Sequence, residues 1–227
     1  MNILIACEES QRVCMAFREK GHRAFSCDLE PCSGGHPEWH IQADVLPLLN
    51  GNCEFTTADG NPHAQRGRWD LIIAHPPCTY LSNAGAVRLY PKKGELNVER
   101  YSKGLEAKEF FMRFINADCE RIAVENPIPT KVYNLPKYSQ TIQPFWFGDP
   151  YSKKTCLWLK DLPTLEPTNM VEPICSWVSG GSKNKYGNKR ANTGTKISDA
   201  KTRSKTFEGI AEAMADQWGG YLNDTNK

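Results

Sequence analysis

Short apolar runs punctuated by glycine, proline and acidic residues recur along the first 125 residues, alternating between strand-like and helix-like spacing. Ile3-Leu4-Ile5-Ala6-Cys7 is continuously apolar, the character of a strand buried on both faces. Residues 10–20 follow as a helix with Val13, Cys14, Met15 and Phe17 turned inward, and Gly21 supplies its stop. Residues 22–27 read as a second strand ending at Asp28, and a third precedes Asp44. Asp70-Leu71-Ile72-Ile73-Ala74 is a fourth, halted by Pro76 and Pro77, which have no N–H to give to a ladder. Residues 105–117 carry Leu105, Phe110, Phe111, Phe114 and Ile115 on one helical face. Arg121-Ile122-Ala123-Val124 is then a fifth strand, running into Glu125, Asn126 and Pro127. This alternation predicts an α/β fold, a mostly parallel sheet with helices on both faces.

In a parallel sheet the carboxyl ends of the strands share one edge, and open α/β sheets bind their ligands there. Four of the predicted ends carry Glu8, Asp28, Cys78 and Glu125. Loops are wet, so any one polar residue at a strand end has an ordinary explanation. A thiol directly after Pro-Pro, with a carboxylate after the next strand, is a more specific pattern. It marks Cys78 as a candidate nucleophile and Glu125 as its acid partner.

Asp28 lies about twenty residues beyond the end of the first strand, where nucleotide-binding α/β folds place the acid that holds ribose hydroxyls. The phosphate-cradling glycines are absent, because Ala6-Cys7-Glu8-Glu9-Ser10-Gln11 follows that strand. Two glutamates at a helix start repel a pyrophosphate. They tolerate a cofactor with ribose but no phosphate and a cationic centre, such as S-adenosylmethionine.

Length and charge set the remaining bounds. A chain of 227 residues suits one α/β domain with a small appendage and buries roughly 70% of its extended surface on folding. Its nine cysteines are an odd set spread over strands, helices and loops, so reduced thiols and a cytoplasmic location are expected. The opening apolar stretch is too short for a signal or a span, and no other run approaches ~18 apolar residues, so a soluble chain with no membrane partner is expected. The formal charge of +2 conceals an uneven distribution: residues 179–205 hold eight bases, among them Lys183, Lys185, Lys189 and Arg190, against the single acid Asp199. That stretch is rich in Gly, Ser, Asn and Thr and builds no core; a mobile cationic loop suited to a phosphate backbone is expected, with a merely solvated loop as the plainer reading.

Taken together, these residues resemble the catalytic core of the DNA (cytosine-5) methyltransferase family, most of all its short bacteriophage-type members. His75-Pro76-Pro77-Cys78 resembles the family's Pro-Cys nucleophile motif, and Val124-Glu125-Asn126-Pro127 its Glu-Asn motif. Asp149-Pro150-Tyr151-Ser152-Lys153-Lys154-Thr155 stands in the place of a Gln-x-Arg-x-Arg segment, and the stretch from Arg203 to Met214 resembles the closing helix region. The resemblance implies a Rossmann-like S-adenosylmethionine-dependent methyltransferase fold: a catalytic core over 1–158, a small basic target-recognition segment over 159–204 and a helix over 205–227 that returns to the core. It implies a covalent Cys78 adduct at carbon 6 of cytosine, Glu125 holding and protonating the base, Asn126 ordering the loop and Lys153 steadying the base. The cofactor would lie against Ala6, Cys7, Glu8, Ser10, Asp28, Leu29, Asp44, Val45, His75 and Pro76, with Pro37 and Trp39 packed around its adenine. DNA would meet the loop after Cys78, through Arg88, Lys92, Lys93 and Arg100, and the basic segment. The family's glycine-rich first motif is replaced here by Cys7-Glu8-Glu9-Ser10-Gln11.

Other readings use the same residues. Amino-methyltransferases also carry a Pro-Pro element, with Asp, Asn or Ser before it and an aromatic after it; His75 and Cys78 occupy those places here, although Tyr80 is near. Thiol chemistry on another pyrimidine substrate, as in thymidylate synthases, and a catalytically weak nucleic-acid-binding protein of the same fold are the alternatives. Cys27, Cys32, His36 and His40, four residues within fourteen, have the spacing of zinc ligands, against which stands an ordinary polar turn. Phe145, Trp146, Phe147 and Trp158 are expected in the core.

Overall fold

The computed structural model describes residues 1–92, 94–177 and 204–224. Its centre is a seven-stranded sheet built from β1 (Asn2–Ala6), β2 (Arg23–Asp28), β3 (His40–Gln42), β6 (Leu71–Ala74), β7 (Ile122–Pro127), β8 (Gln140–Ile142) and β10 (Thr155–Lys160). Across the sheet the order is β3-β2-β1-β6-β7-β10-β8. The first five are mutually parallel; β10 runs antiparallel to both β7 and β8. Strand order reverses between β1 and β6, which places a crevice outside their carboxyl ends.

Continuous apolar runs in β1, β6 and β7 are explained by burial on both sides. Leu4, Ala6, Ile72, Ala74, Ile122 and Val124 enter one core with Phe111 and Phe114 of α2 (Val98–Ile115). Ile3, Ile5, Leu71, Ile73 and Ala123 enter the other, with Val13, Cys14 and Phe17 of α1 (Arg12–Glu19) and Met214 and Trp218 of α3 (Glu208–Asp224). The period of two along each strand therefore sorts alternate residues to opposite cores. The expected helices on both faces are present, and α3 packs beside α1. Gly209 is required where α3 starts, because a Cβ there would lie 1.8 Å from the Phe147 carbonyl oxygen.

Several expected elements differ. The second major helix begins at Val98, not at 105, capped by the Asn97 side chain, which accepts a hydrogen bond from Arg100 N at 2.9 Å. Leu105, expected inward, is 40% exposed, and its neighbour Gly104 takes the inner position, close against Tyr133. A hairpin of β4 (Cys53–Thr56) and β5 (Pro62–Gln65) stands apart from the main sheet, and β9 (Tyr151–Ser152) pairs with β11 (Cys175–Ser176). Phe147 and Trp158 are buried as expected, whereas Phe145 and Trp146 are half-buried. The eight cysteines with described side chains are free thiols. Among the described residues no helix is long and apolar enough to cross a membrane.

Candidate active site

The carboxyl edge of β6 and β7 is where the sequence motifs meet. Ala74 pairs with Val124, so His75 and Glu125 come level as their strands end. The His75 Nδ1 lies 3.1 Å from Glu125 Oε2, with the two side chains only 10% and 13% exposed. Burial alone would push the Glu125 carboxyl up. The His75 hydrogen bond, the charge of Lys153 and a hydrogen bond from Thr155 outweigh burial and leave it below the ordinary glutamate range. Asn126, on the opposite side of the strand, donates from Nδ2 to the Pro76 carbonyl at 2.8 Å and so ties the two motif segments together.

Cys78 is half-buried three residues beyond His75. Burial and then the Glu125 carboxylate push its thiol up, and Lys153 acts in the opposite sense. The Glu125 carboxylate and the Lys153 ammonium thus both lie near enough to Cys78 to act on its thiol. Lys153 reaches this edge because β10 is antiparallel: the segment leading into Thr155 lies beside the end of β7. Its ammonium also stands 5.8 Å from the centre of the Phe207 ring.

The segments leaving the two motifs are bonded to each other. Asn83 N donates to Ile128 O at 2.8 Å, Thr130 N donates to Leu81 O at 2.8 Å, and Ser82 bridges to Pro129. Arg100, expected to face a nucleic acid, donates to Thr79 O at 2.7 Å and stands 4.9 Å over the Tyr80 ring. Arg88 is exposed, and exposed Lys92 pairs with Glu95 at 3.4 Å. Lys93, Lys183, Lys185, Lys189 and Arg190 lie outside the described residues, as does most of the basic segment.

The cofactor-type residues form the other half of the edge. Burial, then Asp28, Cys27 and Asp44, raise the Cys7 thiol far above its ordinary value, so the acids ending β2 and following β3 approach the end of β1. One oxygen of Asp28 accepts from Glu30 N at 2.9 Å and one of Asp44 from Leu46 N at 3.0 Å, each fixing its own turn. Ser10 is buried, and Leu29 is 73% exposed. Five more of the expected cofactor residues have roles of their own in the fold. Ala6 and Val45 belong to the hydrophobic core. Glu8 caps α1, accepting from Val13 N at 2.7 Å and Cys14 N at 3.2 Å, and burial pushes its carboxyl up. His75 pairs with Glu125, and the neighbouring Pro76 is buried with its carbonyl on Asn126.

The zinc-like set does not converge. Both ring nitrogens of buried His40 are engaged, Nε2 donating to Glu30 O and Nδ1 accepting from the Ser26 hydroxyl, each at 2.9 Å. Cys27 donates to Ala43 O, and His36 stacks on Trp39 at 3.9 Å and bonds Glu38. Trp39 therefore packs on His36 and Arg18. No group of three or more metal-type side chains forms among the described residues. A cleft of about 700 Å³ at the opposite edge of the sheet is lined by Arg68, Asp118 and Arg121, where Arg68 pairs with Asp118 at 3.1 Å and Arg121 with Glu120 at 3.3 Å.

His75 as a partner of Glu125 is the functional contact that sequence reasoning missed. The two stand fifty residues apart, and only the strand register reveals them as neighbours. No protein-family model matches the chain, and neither does any curated protein.

Proposed function

We propose that this chain is an S-adenosylmethionine-dependent methyltransferase that acts at carbon 5 of cytosine in DNA, with Cys78 as nucleophile and Glu125 as the group that holds and protonates the base. The observation that carries this reading is the mutual influence of Cys78, Glu125 and Lys153 at a sheet edge beside the point where strand order reverses. Carbon 5 of cytosine is a poor nucleophile until a thiolate adds at carbon 6 and nitrogen 3 takes a proton. Such a reaction needs a sulfur and a carboxyl group on one pyrimidine-sized site.

The residues toward β1 fit a ribose-bearing, phosphate-free cofactor. Asp28 and Asp44 approach the end of β1 together. Cys7 and Gln11 adopt φ of 59° and 60°, so the loop keeps the left-handed turns that glycine usually supplies, at a cost of roughly 1–2 kcal/mol per non-glycine residue. The cofactor supplies an electrophilic methyl group. The chain's own residues do the rest: Cys78 adds to carbon 6, Glu125 protonates nitrogen 3, and Lys153 sets the charge around both. Reaching a base in a duplex requires extruding it from the stack, and the exposed loop bearing Arg88, Lys92 and Tyr90 borders this edge.

The test is incubation with 5-fluorocytosine-containing DNA and S-adenosylmethionine. A covalent protein–DNA adduct is expected, and it should vanish in Cys78→Ser. An adduct that survives this substitution removes Cys78 as the nucleophile. Tight DNA binding with neither adduct nor methyl transfer would replace the enzyme by a nucleic-acid-binding scaffold, and transfer to RNA or free pyrimidine nucleotide alone would replace the substrate.

A further inference from the structure

We propose that His75 is a positioning and proton-supplying residue for Glu125, so that the two act as one acid toward the bound base; this deepens the reading of the same site and rests on it. The geometry is that of a built pair. Glu125 is held as a carboxylate, so His75 Nδ1 is the donor across 3.1 Å, and both side chains are about nine-tenths buried. The other nitrogen, Nε2, is buried and has no hydrogen-bond partner among the described residues. A histidine serving only the core would satisfy both nitrogens, as His40 does.

The surroundings give the pair its role. Four strand ends in spatial succession present Glu8, His75, Glu125 and Lys153, alternating acid and base across the edge. Glu8 acts on the pair from the loop after β1, Lys153 from ahead of β10, and Cys78 from the loop after β6. A carboxylate stabilised by these donors stays deprotonated near neutrality and has no proton of its own to give, yet nitrogen 3 must receive one. The imidazolium supplies what the carboxylate lacks.

The step balances as follows. The Cys78 sulfur bonds carbon 6, the C5–C6 π pair moves to C4–C5, and the C4–N3 π pair settles on nitrogen 3. That nitrogen takes one proton from the His75–Glu125 pair, which passes from imidazolium and carboxylate to imidazole and carboxylate. The C4–C5 π pair then forms the bond from carbon 5 to the methyl group, whose bond to the cofactor's sulfonium breaks with its electron pair left on sulfur, and the C4–N3 double bond re-forms. Loss of the carbon 5 proton to water and release of Cys78 re-form the C5–C6 bond, and nitrogen 3 returns its proton to the pair.

Two measurements separate this proposal from the reading beneath it. In ¹⁵N-imidazole NMR of the whole chain at fixed pH, the His75 Nδ1 signal should be that of a hydrogen-bonded N–H in the native protein and should shift in Glu125→Gln; an Nδ1 signal unmoved by the substitution overturns the pairing whether or not the protein methylates anything. Methyl transfer from labelled cofactor to DNA is then compared between native protein and His75→Asn, whose Nδ2 can keep the bond to Glu125 but has no proton to yield. The expected result is a fall in kcat of about a hundredfold, loss of the basic limb of the pH–rate profile, and an unchanged KM for DNA and Tm. Full kcat with the basic limb in place overturns the proposal. A native protein that transfers no methyl group sinks the underlying reading instead, and if His75→Asn does not fold, the Nδ1 signal in Glu125→Gln decides.

Discussion

His40 and His75 are both withdrawn from solvent beside parallel strands, and they show how one residue type is used in two halves of the sheet. On the β2–β3 side, His40 is wholly buried and both nitrogens are bonded, to Ser26 and to the Glu30 carbonyl. On the β6–β7 side, His75 spends one nitrogen on Glu125 and leaves the other without a partner among the described residues. Satisfied buried polar groups stabilise a fold, whereas an unsatisfied one costs about 1–3 kcal/mol and calls for a reason. The contrast marks His40 as scaffold and the edge that holds His75 as the proposed working edge.

The largest expected effect tests that division. His40→Ala takes from the buried Ser26 hydroxyl its closest partner and opens a cavity where a fully buried ring stood, so a loss of about 2–4 kcal/mol is expected in urea unfolding. His75→Ala leaves Glu125 with Thr155 and Lys153 and should cost clearly less. Equal losses from the two substitutions would erase the distinction between scaffold and working edge.

A smaller effect sharpens it from the side of Cys78. Burial first, and then the Glu125 charge, hold that thiol up. Glu125→Gln removes the second influence, and since one pKa unit is about tenfold in thiolate fraction, iodoacetamide should label Cys78 several-fold faster at pH 8. His40→Ala should leave the labelling rate alone. An unchanged rate in Glu125→Gln would separate the sulfur from the carboxylate.

The smallest is a pH effect on stability. Glu125 has its folded pKa below its unfolded value, so its contribution is fully present above about 4.3, the unfolded glutamate value, and is lost as pH falls through the folded one. Native protein and Glu125→Gln should therefore differ most in stability near neutrality and converge below about pH 4. Glu8 is shifted the other way, its carboxyl raised by burial, and it is common to both proteins, so the difference isolates Glu125. A gap that widens on acidification would contradict the pairing.

Much of this architecture is legible in the chain because burial on two faces writes itself as uninterrupted apolar runs: β1 and β6 fall within a residue of where the runs 3–7 and 70–74 put them, and β7 starts one residue after Arg121 but runs past Val124 to Pro127. The first two turns of α2 are not legible, since Glu99, Arg100, Ser102 and Lys103 mask a helix whose inward position there is a glycine. Nor is β10, whose place between β7 and β8 depends on antiparallel pairing that no local pattern encodes. Cys78 and Glu125 are readable because each comes directly after an apolar run, although Glu125 itself still lies within β7. The His75–Glu125 bond, the Asn126 tie and the capping by Glu8 are not, for each joins residues whose proximity is a matter of register or loop path.

The cross-bonded segments beyond Cys78 and Asn126 have a mechanical consequence. With Leu81, Ser82 and Asn83 stitched to Ile128, Pro129 and Thr130, the sulfur and the carboxylate ride on a common frame and keep their spacing whatever the outer loop does.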